Sequence, residues 1–235
     1  MTRPSARVAI AGLIAALLIA ALLALGTWQV YRRAWKLDLI AAVDARVHAA
    51  PVAAPGPPEW PTVDAARAQY RRVTVTGHFL DVPPAFVQAA TERGAGWWVV
   101  APLATPRGFT VLINRGFVPG RVAQTPPPGS LSITGLLRIS EPGGGFLRSN
   151  DPGHDRWFSR DVGAIAKARH LHDVAPYFID ADAASGSPGG PVGGLTVIAF
   201  YNNHLVYAIT WYGLAMMVAG AFVIFVRKHG DGAEE

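Results

Sequence analysis

Two apolar runs, one near each end of the chain, restrict the fold more than any other feature. Residues 8–25 consist of Ala, Leu, Ile, Val and one Gly, and residues 205–226 carry no charged side chain. At ~1.5 Å of helical rise per residue, each run is long enough to cross the hydrocarbon core of a bilayer. Arg3 and Arg7 ahead of the first run also fit the basic start of a signal peptide. The apolar stretch exceeds the ~7–15 residues usual in such a peptide, and Ala24-Leu25-Gly26 is a poor cleavage signal. The run therefore reads as a retained span.

Gly12, Ala16, Ala20 and Ala24 recur at four-residue intervals, and Ala215 and Ala219 repeat that interval in the second run. Rows of small residues let helices approach closely, so the two spans are expected to pack through them. Flanking charge sets the orientation. No Lys or Arg occupies the 20 positions before Leu205, whereas Arg227 and Lys228 follow the run. This asymmetry predicts a cytoplasmic C-terminus and, with two spans, an N-terminus on the same side. Arg32, Arg33, Lys36 and Arg46 after the first span count for less, because long segments translocate largely regardless of charge. The chain is thus expected to be a multi-pass protein of a cell inner membrane with its middle in the periplasm. The expected boundaries are 1–31 for the first span, 32–203 for the outer domain and 204–235 for the second span and tail.

Composition removes several function classes. The net charge of +5 comes from 21 scattered Lys and Arg residues, with no finger, Walker loop or basic–aromatic platform, so nucleic acid is not an expected partner. The absence of cysteine excludes disulfides, thiolate metal sites and cysteine nucleophiles. No Gly-x-Ser-x-Gly elbow, His-Glu-x-x-His or dinucleotide fingerprint is present, and an enzyme is not expected.

Strand signals dominate between the spans. Residues 33–48 read as an amphipathic helix leaving the membrane, with Leu39, Val43 and Val47 four apart. The proline-rich residues 50–61 read as a linker, and 64–68 as a short helical turn. Residues 70–80, 85–89, 96–103, 109–117, 131–139, 177–180 and 195–200 are expected strands, separated by Pro and Gly. Gly77 marks a bulge or bend, residues 161–172 a helix, and 185–194 a loop. The fold class that follows is an α+β membrane protein, two transmembrane helices flanking a mainly antiparallel β domain built as a sheet, sandwich or partly closed barrel.

Few residues offer chemistry. His204, Tyr207 and Trp211 fall at i, i+3 and i+7 of the second helix and share one face at the membrane boundary. That face presents an imidazole, a phenol and an indole, and reads either as a ligand site or as an interfacial aromatic belt with a polar cap. Arg115 leaves a strand end beside Gly116 and can meet an anion, a partner's carboxylate or loop carbonyls. His170, His172 and Asp173 resemble a metal group, but helical i and i+2 positions point apart. Asp151, His154, Asp155 and Asp161 read as a solvated loop.

Taken in order, these motifs resemble the surfeit locus protein 1 family of cytochrome c oxidase assembly factors. The residues that carry the resemblance are Gly26-Thr27-Trp28-Gln29 with Arg32, Trp35 and Lys36; Gly77-His78-Phe79; Asn114-Arg115-Gly116-Phe117-Val118-Pro119; and Asn202-Asn203-His204-Leu205 with Tyr207-Ala208 and Thr210-Trp211. The resemblance implies a non-enzymatic factor for haem-copper oxidase biogenesis that binds haem a, with His204 as ligand to the haem iron. On that footing the porphyrin is expected along Tyr207 and Trp211, with Arg32 or Arg33 at its propionates. Expected partners are an oxidase subunit, membrane lipid and a haem a synthase. The alternative is a cofactor-free scaffold that grips an oxidase subunit, with Arg115 as a partner contact.

Overall fold

The computed structural model describes residues 6–186, 189–198 and 200–230. Helix α1 (Ala6–His48) comes first. Strand β1 (Val52–Ala53), a 3-10 turn (Pro57–Thr62) and the short α2 (Ala65–Ala68) follow. Five longer strands come next: β2 (Arg72–Phe79), β3 (Ala85–Thr91), β4 (Gly94–Ala104), β5 (Thr110–Val118) and β6 (Leu131–Ile139). A small hairpin, β7 (Gly144–Gly145) and β8 (Arg148–Ser149), leads to α3 (Val162–Ala168), β9 (Val174–Ala181) and α4 (His204–Gly230). The described residues fall into two units, one drawn from positions up to 42 and from 200 onward, the other Val43–Ile198.

In the first unit α1 and α4 pack along a seam. Over residues 8–29 of α1 the shielded positions are Val8, Ala11, Gly12, Ala15, Ile19, Leu22, Gly26 and Gln29; those of α4 are His204, Ala208, Trp211, Tyr212, Gly213, Leu214, Ala215, Val218, Ala219, Phe222 and Phe225. A line at alternating steps of three and four runs through both sets (8, 12, 15, 19, 22, 26, 29 and 204, 208, 211, 215, 218, 222), the 3.5-residue period that keeps one stripe facing a partner helix, with flanking residues widening it. The expected row of small residues is different. Gly12 lies on the seam and Ala215 is buried, but Ala16, Ala20 and Ala24 are exposed. A strict four-residue step drifts around a helix of 3.6 residues per turn, so it leaves the stripe within two turns. Leu17 and Ile209 are more than half exposed on the outer faces, and both helices are long and apolar enough to cross a membrane.

The second unit is a seven-stranded sheet in the order β1-β2-β6-β9-β5-β4-β3, with an added β2–β4 pairing at His78–Ala104 and Phe79–Leu103. That pairing joins β2, β6, β9, β5 and β4 into a ring. All pairings are antiparallel except β1–β2 and β5–β9. Gly77 stands where β2 turns from β6 to β4, and a Cβ there would strike the Ala104 carbonyl. The two-residue alternation of strands divides the core. Val111 and Ile113 of β5, with Tyr177 and Ile179 of β9, point into the ring among Val73, Leu103 and Leu137. Leu112 and Phe178 point the other way, onto Val162 and Ile165 of α3 and onto Trp157. The Tyr177 hydroxyl donates to the Pro55 carbonyl at 2.6 Å, tying down the proline-rich segment, and burial pushes its pKa up.

Two sequence expectations are corrected here. Residues 195–198 and Phe200 form no strand (Ala199 lies outside the described residues). The run makes a side-chain rather than a ladder contact with β9, the Thr196 hydroxyl donating to Asp180 Oδ2 at 2.9 Å, and Val197 is exposed. Helix α3 ends at Ala168 rather than 172 because His170 takes a left-handed conformation at φ +52°.

Candidate functional site

The polar groups of the helical unit gather at one end of the seam. Gly26 lets the helices approach there: a Cβ on it would lie 2.8 Å from Cε1 of Tyr212. The Tyr212 hydroxyl in turn lies 3.0 Å from Thr27 Oγ1. One turn further along α1, Gln29 is buried on the same stripe. Its Oε1 meets His204 Nδ1 at 2.7 Å, across 175 positions of sequence. An amide shielded from water is costly unless it is hydrogen-bonded, and His204 supplies that bond. With Oε1 as acceptor, Nδ1 carries the imidazole proton and Nε2 keeps its lone pair. The neighbouring helix thus engages the ring through Nδ1 and leaves Nε2 as its other nitrogen.

Trp211 sits two turns on, on the same stripe as His204. Its indole Nε1 is buried without a hydrogen-bond partner among the described residues, and so is the Oδ1 of Asn202. A buried N–H left unpaired forfeits its desolvation cost, about 1–3 kcal/mol. Tyr207 diverges from the other two; its side chain is 53% exposed and lies off the seam. Arg33 is half-buried, whereas Arg32 is exposed and stacks on Trp35, its guanidinium carbon 3.9 Å from the ring centre. The structure thus joins His204 and Trp211 on one stripe, adds Gln29, and leaves Tyr207 and Arg32 beside it.

With this geometry in view, comparison with known proteins is informative. The SURF1 family matches residues 16–216, from within α1 to within α4. The chain belongs to the SURF1 family. Surfeit locus protein 1 of Rattus norvegicus is 37% identical over 229 residues, covering 87% of this chain and 72% of that protein. The Homo sapiens protein of the same name is 37% identical over 216 residues, 81% of this chain and 69% of its own. A SURF1-like protein of Monosiga brevicollis is 36% identical over 228 residues, 88% and 84% respectively. The family match takes in both partners of the Gln29–His204 bond.

The polar candidates of the β unit fall into structural tasks, with Arg115 as an exception. Asp151 caps a 3-10 turn and accepts from His154 Nδ1 at 2.8 Å; Asp161 caps α3. Asp155 accepts from Trp157 Nε1 at 2.7 Å and from Arg169 at 2.6 Å. His170 and His172 are exposed, and no cluster with metal-ligand geometry occurs among the described residues. Arg115 is half-buried on β5; its Nη1 donates to the Gln124 carbonyl at 2.9 Å.

Sequence reasoning passed over the buried network under β9. Asp180 is 4% exposed and accepts from Asn114, Arg138, Arg160 and Thr196. Burial alone would lower the pKa of Arg160, but Asp180 and the Glu141 hydrogen bond reverse that and raise it. Gln29 was visible in the sequence as a motif member. Its partner lies on the other helix, and the three–four spacing of the seam was the signal that could have joined them.

Proposed function

We propose that this protein is an assembly factor for a haem-copper (cytochrome c) oxidase that binds haem a at the His204 end of the helix seam and assists its insertion. Membership of the SURF1 family supports the assembly role. The observation that carries the haem reading is the Gln29–His204 hydrogen bond, which frees Nε2. The iron of a bound porphyrin would accept a neutral imidazole nitrogen as ligand. His204 is the residue for that position, and Gln29 holds its proton at Nδ1. The orphaned Trp211 N–H matches an oxygen on the porphyrin rim, so the residues present fit the group. Tyr207, exposed beside the seam, would offer its ring to the porphyrin. Arg33, with Arg32 beside it, lies near enough along α1 to serve the propionates.

The apolar outer faces of α1 and α4 suit a lipid surround, and Arg227 and Lys228 after the second span favour a cytoplasmic C-terminus in a cell inner membrane with a periplasmic β domain. A haem a synthase is the fitting donor, and an oxidase subunit the fitting recipient. A second reading, a scaffold that grips an oxidase subunit, draws on a separate observation, the uncompensated Arg115 of the β unit.

Purification from a host that makes haem a tests the first reading. The full chain is expected to carry extractable haem a, and Gln29→Leu to hold about 10–100-fold less tightly, as for the loss of an outer-shell ligand partner. Protein free of pigment from such a host would overturn it.

A further inference from the structure

Arg115 is a half-buried cation of the β unit whose charge the fold does not neutralise. Arg72, Arg138, Arg160 and Arg169, also half-buried, each meet a carboxylate, at 3.0, 2.8, 2.7 and 2.6 Å. Arg115 makes no ion pair among the described residues. It has the Gln124 carbonyl, and the ring of Phe79 with its centre 5.5 Å from the guanidinium carbon. Burial lowers its pKa, the direction set by desolvation without a compensating anion. Among the described residues, most of its five N–H donors remain unused.

Two cavities meet at this side chain. One, of about 230 Å³, is walled by residues such as Ile113, Leu131 and Ala181, with Arg115 its one charged lining residue. The other, of about 700 Å³, runs along Pro83, Pro84 and Pro126 to Pro128, with Asp81 on its wall. Phe79, Arg115 and Pro127 line both, so the guanidinium stands at the junction rather than at a dead end. The junction is also stiff. Gly116 takes φ +126° under the backbone of Val192, and Phe117 and Val192 exchange two hydrogen bonds of 2.9 Å. Proline walls add rigidity, which lowers the entropy cost of binding.

We infer that this junction receives an extended segment of a partner polypeptide, with an internal Asp or Glu paired to Arg115 and apolar neighbours filling the cavities on either side. A small anion would leave most of both volumes empty, the smaller of which mixes Ser132 and Ser185 with its apolar residues. A chain terminus would fill one of them. A phosphate backbone would meet a single cation, apolar walls and the repelling Asp81. The inference stands apart from the haem reading, since the site lies within the β unit and involves no pigment.

Selection on the full chain in detergent micelles tests it. The probe is a display library of random eight-residue segments held inside a carrier protein, so that no terminus is free. Asp or Glu should be enriched about tenfold or more at one position between apolar residues, the discrimination expected of a charge-assisted hydrogen bond. The same selection on Arg115→Gln should lose that enrichment. Independently of the variant's folding, changing the selected Glu to Gln in the segment should weaken binding to the unaltered protein about tenfold. No selected segment, no acidic position, enrichment of free chain ends alone in a parallel library, or equal enrichment on Arg115→Gln would each overturn the inference.

Discussion

The most consequential single residues pair buried charge with buried charge. Asp180 satisfies two guanidiniums, an amide and a hydroxyl while almost completely shielded from water. Asp180→Ala leaves Arg138 and Arg160 sharing the single carboxylate of Glu141 and takes the acceptor from Asn114 and Thr196, and the β unit should lose about 3 kcal/mol in thermal or urea unfolding. The carboxylate at 155 provides a pH test. Burial raises its pKa, but the Trp157 N–H and the Arg169 guanidinium outweigh that and hold it below the ordinary carboxylate range. A depressed folded-state value contributes stability that is complete above the unfolded value, about pH 4, and disappears as pH falls through the folded one. In Asp155→Asn the acid limb of the stability profile should therefore flatten, while the slope near neutrality stays unchanged. Neither role was legible in the sequence. Asp155 read as part of a solvated loop because its partners, Trp157 apart, lie on distant segments, and Asp180 stood out only as the end of a strand. His204 and Arg115 drew notice in the sequence because an imidazole beside lipid and an arginine after an apolar strand are locally anomalous.

Between elements, the seam of α1 and α4 is the feature to test. Its period of alternating three and four residues brings Gly26 against Tyr212 and Gln29 against His204. Gly26→Leu adds volume where a single Cβ already lies 2.8 Å from the Tyr212 ring. It should destabilise the helix pair by about 1–3 kcal/mol, the usual cost of overpacking, seen as easier unfolding in detergent by circular dichroism. Ala20→Leu, on the exposed side, should change little by the same measurement. The existence of both helices and of β2, β3, β4, β5 and β6 followed from period and composition alone. The seam did not, because small residues every four positions in an alanine-rich helix mimic a packing row, and which alanines face a partner depends on the partner. The run at 195–200 misled for a related reason: alternation does not reveal whether a backbone finds a partner strand.

At the scale of the whole molecule, the two units carry separable claims. The β ring has its own core, and its receptor hypothesis depends on Arg115; the helical unit holds the proposed porphyrin ligand. Family membership was legible from the order of the motifs, and it links the first-span motif containing Gln29 with the second-span motif containing His204. The structure supplies the distance that turns those two motifs into one arrangement. Central to the account is that His204 Nε2 is an iron ligand, and the most direct test is the optical spectrum of His204→Gly protein purified from a haem-a-producing host, before and after adding imidazole. The account predicts that the haem band is lost in the variant and restored by imidazole entering the space left by the side chain. A variant that keeps the haem content and spectrum of the unaltered protein would contradict it.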